Sequence, residues 1–251
     1  MRIFYILPAF NEELNVETLL NNFKKFYKNK RIGILIVIVD DGSTDNSLEI
    51  INRFIKKNNK KKFKVKVIKH KKNLGYGKTL KTGFEYCFLK GNNNDILIAM
   101  DTDNSHTISV SYIMAKKIFL NQQDIVIASR YQSSSKTRGL NRFRKILSFT
   151  AAVLYKIVFP IMNVKDYTSG FRAFRMLQIR KAWKKNKNFF SENGFSASAD
   201  ILLKLYKYRN EIRFSEIPIN LRYDLKKGDS KMKIFKTIYL NLALIIKRKF
   251  L

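Results

Sequence analysis

Ile32-Gly33-Ile34-Leu35-Ile36-Val37-Ile38-Val39 runs directly into Asp40-Asp41-Gly42-Ser43-Thr44-Asp45. Gly33 alone interrupts the large aliphatics of the first eight residues, the pattern of a strand covered on both faces, as in a parallel sheet. Working outward, comparable runs at residues 2–7, 65–69, 96–100 and 125–129 read as further strands. Amphipathic stretches separate them. Asn11 is expected to cap a helix to about residue 28, and Thr44 or Asp45 one over 48–57; residues 75–89 and 109–120 read as two more helices. Strands alternating with helices make an α/β protein with a mostly parallel sheet.

Beyond Arg130 the pattern loosens. Residues 133–138, with three serines, Lys136 and Arg138, read as a polar mobile loop. A long helix with a wide apolar face is expected over 141–159, ending near Pro160, then a helix over 197–208, a strand over 212–219 and a last helix over 230–249. No internal repeat or linker divides the chain. Residues 234–246 are short and contain Lys236, and residues 146–162 contain Lys156, so neither reaches the roughly 20 apolar residues needed to cross a bilayer. Each reads either as a helix lying in a membrane interface, with Arg142, Arg144 and Lys145, or Lys247, Arg248 and Lys249, facing lipid phosphates, or as an ordinary helix packed on the sheet.

Fifty Lys and Arg against nineteen Asp and Glu in 251 residues give a net charge of +31, a field that attracts polyanions. Abundant Lys, Asn, Ile and Phe also look like a compositional bias, so charge alone names no partner. A nucleic-acid-binding reading requires aromatics interleaved with Lys and Arg; no such motif is present, and clustered carboxylates would repel phosphates. The single Cys87 excludes an internal disulfide framework, reads as inert core, and makes a reducing cytoplasm the expectation. Two histidines, His70 and His106, leave little room for a His-built metal centre. The opening Met-Arg-Ile-Phe-Tyr-Ile-Leu-Pro does not read as a secretory leader. Trp183, among lysines, reads as surface or membrane-proximal.

The acidic residues are informative because they are scarce. Asp40-Asp41 follow one strand and Asp101 and Asp103 another, and an open α/β sheet binds ligands outside the carboxyl ends of its strands. Asp101-x-Asp103 has the spacing for a hard divalent cation, Mg²⁺ or Mn²⁺, completed by phosphate oxygens and water. Gly75 and Gly77 read either as a helix-entry turn or as a close approach, and His106 as a turn residue or a phosphate contact.

Around these clusters stand Pro8-Ala9-Phe10-Asn11-Glu12, Asn73-Leu74-Gly75-Tyr76-Gly77-Lys78, Met100-Asp101-Thr102-Asp103-Asn104-Ser105-His106, Ser129-Arg130-Tyr131, Asp166-Tyr167-Thr168-Ser169-Gly170-Phe171-Arg172, Glu216-Ile217-Pro218-Ile219 and Gly228-Asp229-Ser230-Lys231. In this order the chain resembles the inverting family 2 glycosyltransferases of GT-A fold, and most the polyprenyl-phosphate branch typified by the dolichol-phosphate mannose synthases. The resemblance spans about residues 2–232. It implies a GT-A domain over 1–230, a Rossmann-like α/β sheet flanked by helices, followed by an interfacial helix over 231–251. It implies a nucleotide-sugar pocket made by Pro8, Phe10, Glu12, Val39, Asp40, Asp41, Thr102, Arg222 and Lys231, a metal held by Asp101, Asp103 and Ser105, and a phosphate of the lipid acceptor or of the donor met by Arg130, Arg144 and Ser148. Leu225 stands where the family usually has an Arg six residues before that Lys, so Arg222 or Lys226 is expected to supply the missing charge.

The implied reaction moves a sugar from GDP-mannose or a UDP-hexose to a dolichyl or undecaprenyl phosphate, on the inner face of the cell membrane and with a membrane-anchoring partner possible. A phosphate acceptor is already anionic and needs no strong base; positioning and leaving-group stabilisation are the work left, with Asp101, Asp103, Arg130 and Asp166 as catalytic candidates. The alternative acceptor is a glycan or other hydroxyl, for which Asp166 or Asp200 would act as general base.

Overall fold

In the computed structural model, which describes residues 1–120, 123–186, 188–228 and 234–250, the apolar runs become one seven-stranded sheet. The first half is a regular alternation: β1 (Arg2–Ala9), α1 (Glu13–Tyr27), β2 (Gly33–Asp40), α2 (Ser47–Asn58), β3 (Phe63–Lys69), α3 (Tyr76–Lys90), β4 (Ile96–Ala99), α4 (Ile108–Leu120) and β5 (Ile125–Ser129). The second half carries β6 (Lys136–Arg138), α5 (Arg142–Val158), β7 (Arg172–Arg175), α6 (Met176–Lys185), α7 (Ala197–Tyr206), β8 (Phe214–Pro218), β9 (Asn220–Arg222), a 3-10 turn (Tyr223–Leu225) and α8 (Ile234–Phe250).

The strand order is β3-β2-β1-β4-β7-β5-β8, with β7 antiparallel to both neighbours and every other pairing parallel. The period of two in β1 sorts its side chains: Phe4 and Ile6 enter the core under α3, α6 and α7, while Ile3, Tyr5 and Leu7 enter the core under α1, α2 and α4. The buried Tyr5 hydroxyl is satisfied by Tyr27 at 2.6 Å and Ser111 at 2.7 Å. On edge strand β3, Lys64, Lys66 and Lys69 are exposed, so part of the positive charge guards an unpaired edge against strand addition.

Several elements depart from the sequence reading. Asn11 is not a helix cap: its φ of 52° turns the chain, its side-chain oxygen receives the Thr44 amide, and α1 starts behind Glu12. Residues 136–138 are not loop, because β6 pairs in parallel with β9 over Lys136–Asn220 to Arg138–Arg222. Strand β7 and helix α6 were not anticipated. Trp183 is half-buried, packing one side against the core with its ring 4.9 Å from Phe88. Asn141 does cap α5, accepting the Phe143 amide at 2.9 Å. The start of the last predicted helix, 230–233, lies outside the described residues. No helix among them is long and apolar enough to cross a membrane.

Candidate active site

The strand order reverses direction between β1 and β4, and the carboxyl ends of β1, β2 and β4 open there into a cavity of about 710 Å³. Pro8, Phe10, Glu12, Asp41, Asp101, Thr102, Asp103, Arg130, Arg144 and Ser148 all line it, brought together from segments far apart in sequence. Its far end is apolar, walled by Leu147, Ala151 and Leu154 of α5 and by Ile238, Leu242 and Ile245 of α8. Tyr155 ties those two helices together, donating to Asn241 Oδ1 at 2.7 Å.

At the β2 end the two aspartates have different fates. Asp41 accepts His70 Nδ1 at 2.7 Å and the amides of Leu74 and Gly75 at 3.0 and 2.8 Å, so its carboxylate is spent on fixing the entry to α3. Asp40 is fully buried with no hydrogen-bond partner among the described residues on either carboxylate oxygen, and neither it nor the buried Val39 is among those that line the cavity. Of the three residues expected at the nucleoside, Val39, Asp40 and Asp41, only Asp41 lines the cavity. At α3 the close-approach reading of Gly77 holds: a Cβ there would lie 1.8 Å from the Glu192 carbonyl oxygen, and the Gly77 amide donates to Asn193 at 2.8 Å.

The β4 end holds the carboxylate pair. Asp103 Oδ1 accepts the amide and hydroxyl of Ser105 at 3.1 and 2.6 Å, and Oδ2 accepts Lys226 Nζ at 2.9 Å. Ser105 is buried and directed at Asp103, so it braces that carboxylate and does not line the cavity as a third metal ligand. His106 stacks on Phe171 with centroids 4.5 Å apart; its Nδ1 accepts the Asp101 amide at 3.2 Å and its Nε2 lies 3.9 Å from Asp101 Oδ2. Burial, reinforced by the like charge of Asp103, pushes the Asp101 carboxyl up. Burial would raise Asp103 too, but Lys226, His106 and Ser105 outweigh it and hold that carboxyl below the usual range.

Two carboxylates on one short segment, with the Asp101 side chain 39% exposed into the cavity and an ammonium already seated on Asp103, fit a hard cation completed by a ligand's own oxygens. They do not make a closed site: among the described residues no group of three or more His, Cys, Asp or Glu could hold a metal ion.

Across the cavity, Arg130 of the β5 end is locked by Asp166. The Asp166 carboxylate is fully buried and accepts Arg130 N, Nε and a terminal guanidinium nitrogen at 3.0, 2.8 and 2.6 Å, and the Ser169 amide at 3.0 Å. Burial would raise its pKa, but the Arg130 charge and hydrogen bonds dominate and depress it. Glu216 of β8 backs this pair, accepting the Lys165 and Asp166 amides, each at 2.7 Å. Asp166 does not line the cavity, so it orients Arg130 and not an acceptor. Ser148 Oγ accepts the Tyr131 hydroxyl at 3.0 Å, which leaves its own proton to donate into the cavity.

Other expected contributors fall elsewhere. Asp200 is buried between Lys204 at 2.5 Å and Arg248 at 2.7 Å, fastening α8 to α7, and is no general base. Arg222 turns to Asp224 at 2.8 Å, outside the cavity. Lys226, the other candidate for the missing charge, does line it. Lys231 lies outside the described residues. Sequence reasoning gave no individual role to Tyr76 or Glu216, although each stands in a quoted motif, and it placed the last helix at a membrane interface and not in the cavity wall.

A family model described as glycosyl transferase family 2 matches residues 5–187. The chain is 30% identical over 240 residues to a dolichol-phosphate mannosyltransferase of Pyrococcus furiosus, covering 95% of this chain but only 61% of that protein's length. It is 28% identical over 253 residues to a UDP-N-acetylglucosamine–dolichyl-phosphate N-acetylglucosaminyltransferase of Methanococcus voltae, covering 94% and 93% of the two chains. Among solved structures, a glucosyl-3-phosphoglycerate synthase of Mycobacterium tuberculosis in complex with Mn²⁺, UDP and glucosyl-3-phosphoglycerate superposes with a TM-score of 0.68 at 14% identity, covering 100% of this chain and 80% of that one.

Proposed function

Because the chain belongs to glycosyl transferase family 2 and has the GT-A fold, we propose that it transfers a sugar, with inversion, from a nucleoside-diphosphate sugar to a polyprenyl phosphate. One observation carries the reading: the carboxylates lining the cavity, Glu12, Asp41, Asp101 and Asp103, all come from segments that follow β1, β2 and β4, whereas the chain beyond β5 brings the cations Arg130 and Arg144 to it. Among the described residues no carboxylate from beyond β5 lines the cavity. A hydroxyl acceptor needs a base there, and the two expected bases, Asp166 and Asp200, are committed to Arg130 and to Lys204 and Arg248. A phosphate acceptor needs none.

In this reading Arg130, Arg144 and the Ser148 hydroxyl hold the acceptor phosphate, and Asp166 keeps the Arg130 fork from swinging. The phosphate oxygen forms its bond to the anomeric carbon as the bond from that carbon to the diphosphate breaks, and no proton has to move. Asp101 and Asp103 are the residues to hold a divalent cation, Mg²⁺ or Mn²⁺, which when bound neutralises charge on the diphosphate. Pro8 and Phe10 present their surfaces to the nucleoside side. The apolar far end between α5 and α8 suits the first isoprene units, and exposed Phe143, Ile146, Phe149 and Ile157 of α5 with Phe235, Tyr239 and Ile246 of α8 suit a membrane interface. We therefore propose a peripheral enzyme of the inner membrane face.

The experiment is a panel of UDP- and GDP-sugars with Mg²⁺ or Mn²⁺, offered a short polyprenyl phosphate in liposomes or a soluble glycan. Product confined to the lipid phosphate supports the proposal. Turnover with the glycan alone overturns it.

A further inference from the structure

Lys226 is held where a cation is wanted. Its own amide donates to the Tyr223 carbonyl at 3.2 Å, and the next residue is pinned to α1 from both sides: Lys227 N donates to Asn15 Oδ1 at 3.1 Å and Lys227 O accepts Asn15 Nδ2 at 2.9 Å. Asn15 is buried and is itself fixed, donating from Nδ2 to Glu12 Oε2 at 2.8 Å and accepting Asn104 Nδ2 on its carbonyl at 3.0 Å. This double amide clamp straps the turn to α1 beside the carboxylate pair. From it the Lys226 stem reaches in, its side chain 16% exposed, to Asp103 Oδ2. The other oxygen, Oδ1, already accepts two bonds from Ser105. Oδ2 is thus the oxygen through which Asp103 can take a cation from the cavity, and Lys226 is on it.

We propose that Lys226 is a resident counter-cation: in the ligand-free protein it competes with the divalent ion for Asp103, and on donor binding it moves from that carboxylate to the diphosphate. This rests on the reading that Asp101 and Asp103 hold the metal. A lysine suits the exchange because its charge is a point on a flexible stem with three donors, and the clamp on Lys227 keeps the root in place while the head moves. The two halves of the exchange have opposite signs. A positive charge beside the carboxylates weakens metal binding when no nucleotide is present, and the same charge beside a diphosphate strengthens nucleotide binding.

The test is Mn²⁺ binding to the full chain without nucleotide, followed by loss of the free-ion electron paramagnetic resonance signal, for the native protein, Lys226→Gln, Lys226→Arg and Asp103→Asn. Thermal melting of each variant checks that it is folded. Removing a partly exposed ion pair corresponds to a gain of roughly fivefold, so Lys226→Gln is expected to bind Mn²⁺ about that much more tightly, while Lys226→Arg stays near the native value. Calorimetric titration with UDP and with GDP at saturating Mn²⁺ is expected to show the reverse, weaker binding in Lys226→Gln. If Asp103→Asn loses Mn²⁺ but Lys226→Gln binds it no better than native, the counter-cation proposal falls and the metal assignment stands. If Asp103→Asn binds Mn²⁺ as the native protein does, the metal assignment falls and this proposal with it.

Discussion

Asp166→Asn probes the acceptor half of the site with almost no change of shape. The native carboxylate meets four N–H donors, two on each oxygen: Arg130 N and Nε on Oδ2, the Arg130 terminal nitrogen and the Ser169 amide on Oδ1. An asparagine must replace one oxygen by an NH₂ group, and either orientation sets that group against two donors. Two charge-assisted bonds are lost and the Arg130 guanidinium, 19% exposed, is left without its counter-charge. Breaking a buried pair in this way costs about 3–5 kcal/mol. For a chain of this length each kcal/mol is worth roughly 2–4 °C, so the melting temperature is expected to fall by about 10 °C. Turnover is expected to fall more than stability requires. A freed Arg130 fork no longer holds the acceptor phosphate, and loss of that alignment costs kcat/KM roughly a hundredfold at temperatures where the variant is still folded. Differential scanning fluorimetry and steady-state kinetics with lipid phosphate read the two effects. A variant that melts within about 2 °C of native and keeps native turnover would refute the role given to this pair.

The depressed Asp166 pKa adds stability that is complete above the unfolded carboxyl value of about 3.9 and disappears as pH falls through the folded value, so native and Asp166→Asn melting curves should converge below about pH 4 and stay apart from pH 5 to 8; a constant gap into acid would contradict this. Gly77→Ala drives a methyl into the Glu192 carbonyl, 1.8 Å from the ideal Cβ, and backbone cannot swing aside as a side chain does, so a loss of about 3 kcal/mol by urea denaturation is expected, against no loss if the contact relaxes. Replacing Ile146, Phe149 and Ile157 together by serine, all more than half exposed, should leave melting unchanged but lower binding to anionic vesicles more than about tenfold in a sedimentation assay; unchanged vesicle binding would remove α5 from the membrane face.

The sequence revealed the sheet where physics writes plainly in it. Strands buried on both faces must be nearly continuous apolar runs, and β1, β2, β4 and β5 are. The acidic residues after β2 and β4 were legible for the same reason, because a carboxylate beside a buried strand is noticed. Strand β7 was not legible: Arg-Ala-Phe-Arg is four residues with a charge at each end. Those charges are answered across the fold, Arg172 by the carbonyl of Ser198 as well as that of nearby Tyr167, and Arg175 by Asp124. The same limit explains the site corrections. Asp166, Ser105 and Asp200 were rightly noticed as polar residues near functional motifs, but the direction of each side chain depends on a partner: Arg130 thirty-six residues earlier for Asp166, Arg248 forty-eight later for Asp200. Ser105 needed only the local geometry of its bond to Asp103, two residues away, which no spacing rule specifies.

The most direct measurement is calorimetric titration of a nucleoside diphosphate into the native protein and into Asp101→Asn, each with and without Mn²⁺. The metal is expected to strengthen nucleotide binding in the native chain by about tenfold, and that gain to vanish when the Asp101 carboxylate is neutralised. Metal-independent binding of equal strength in both proteins would contradict it.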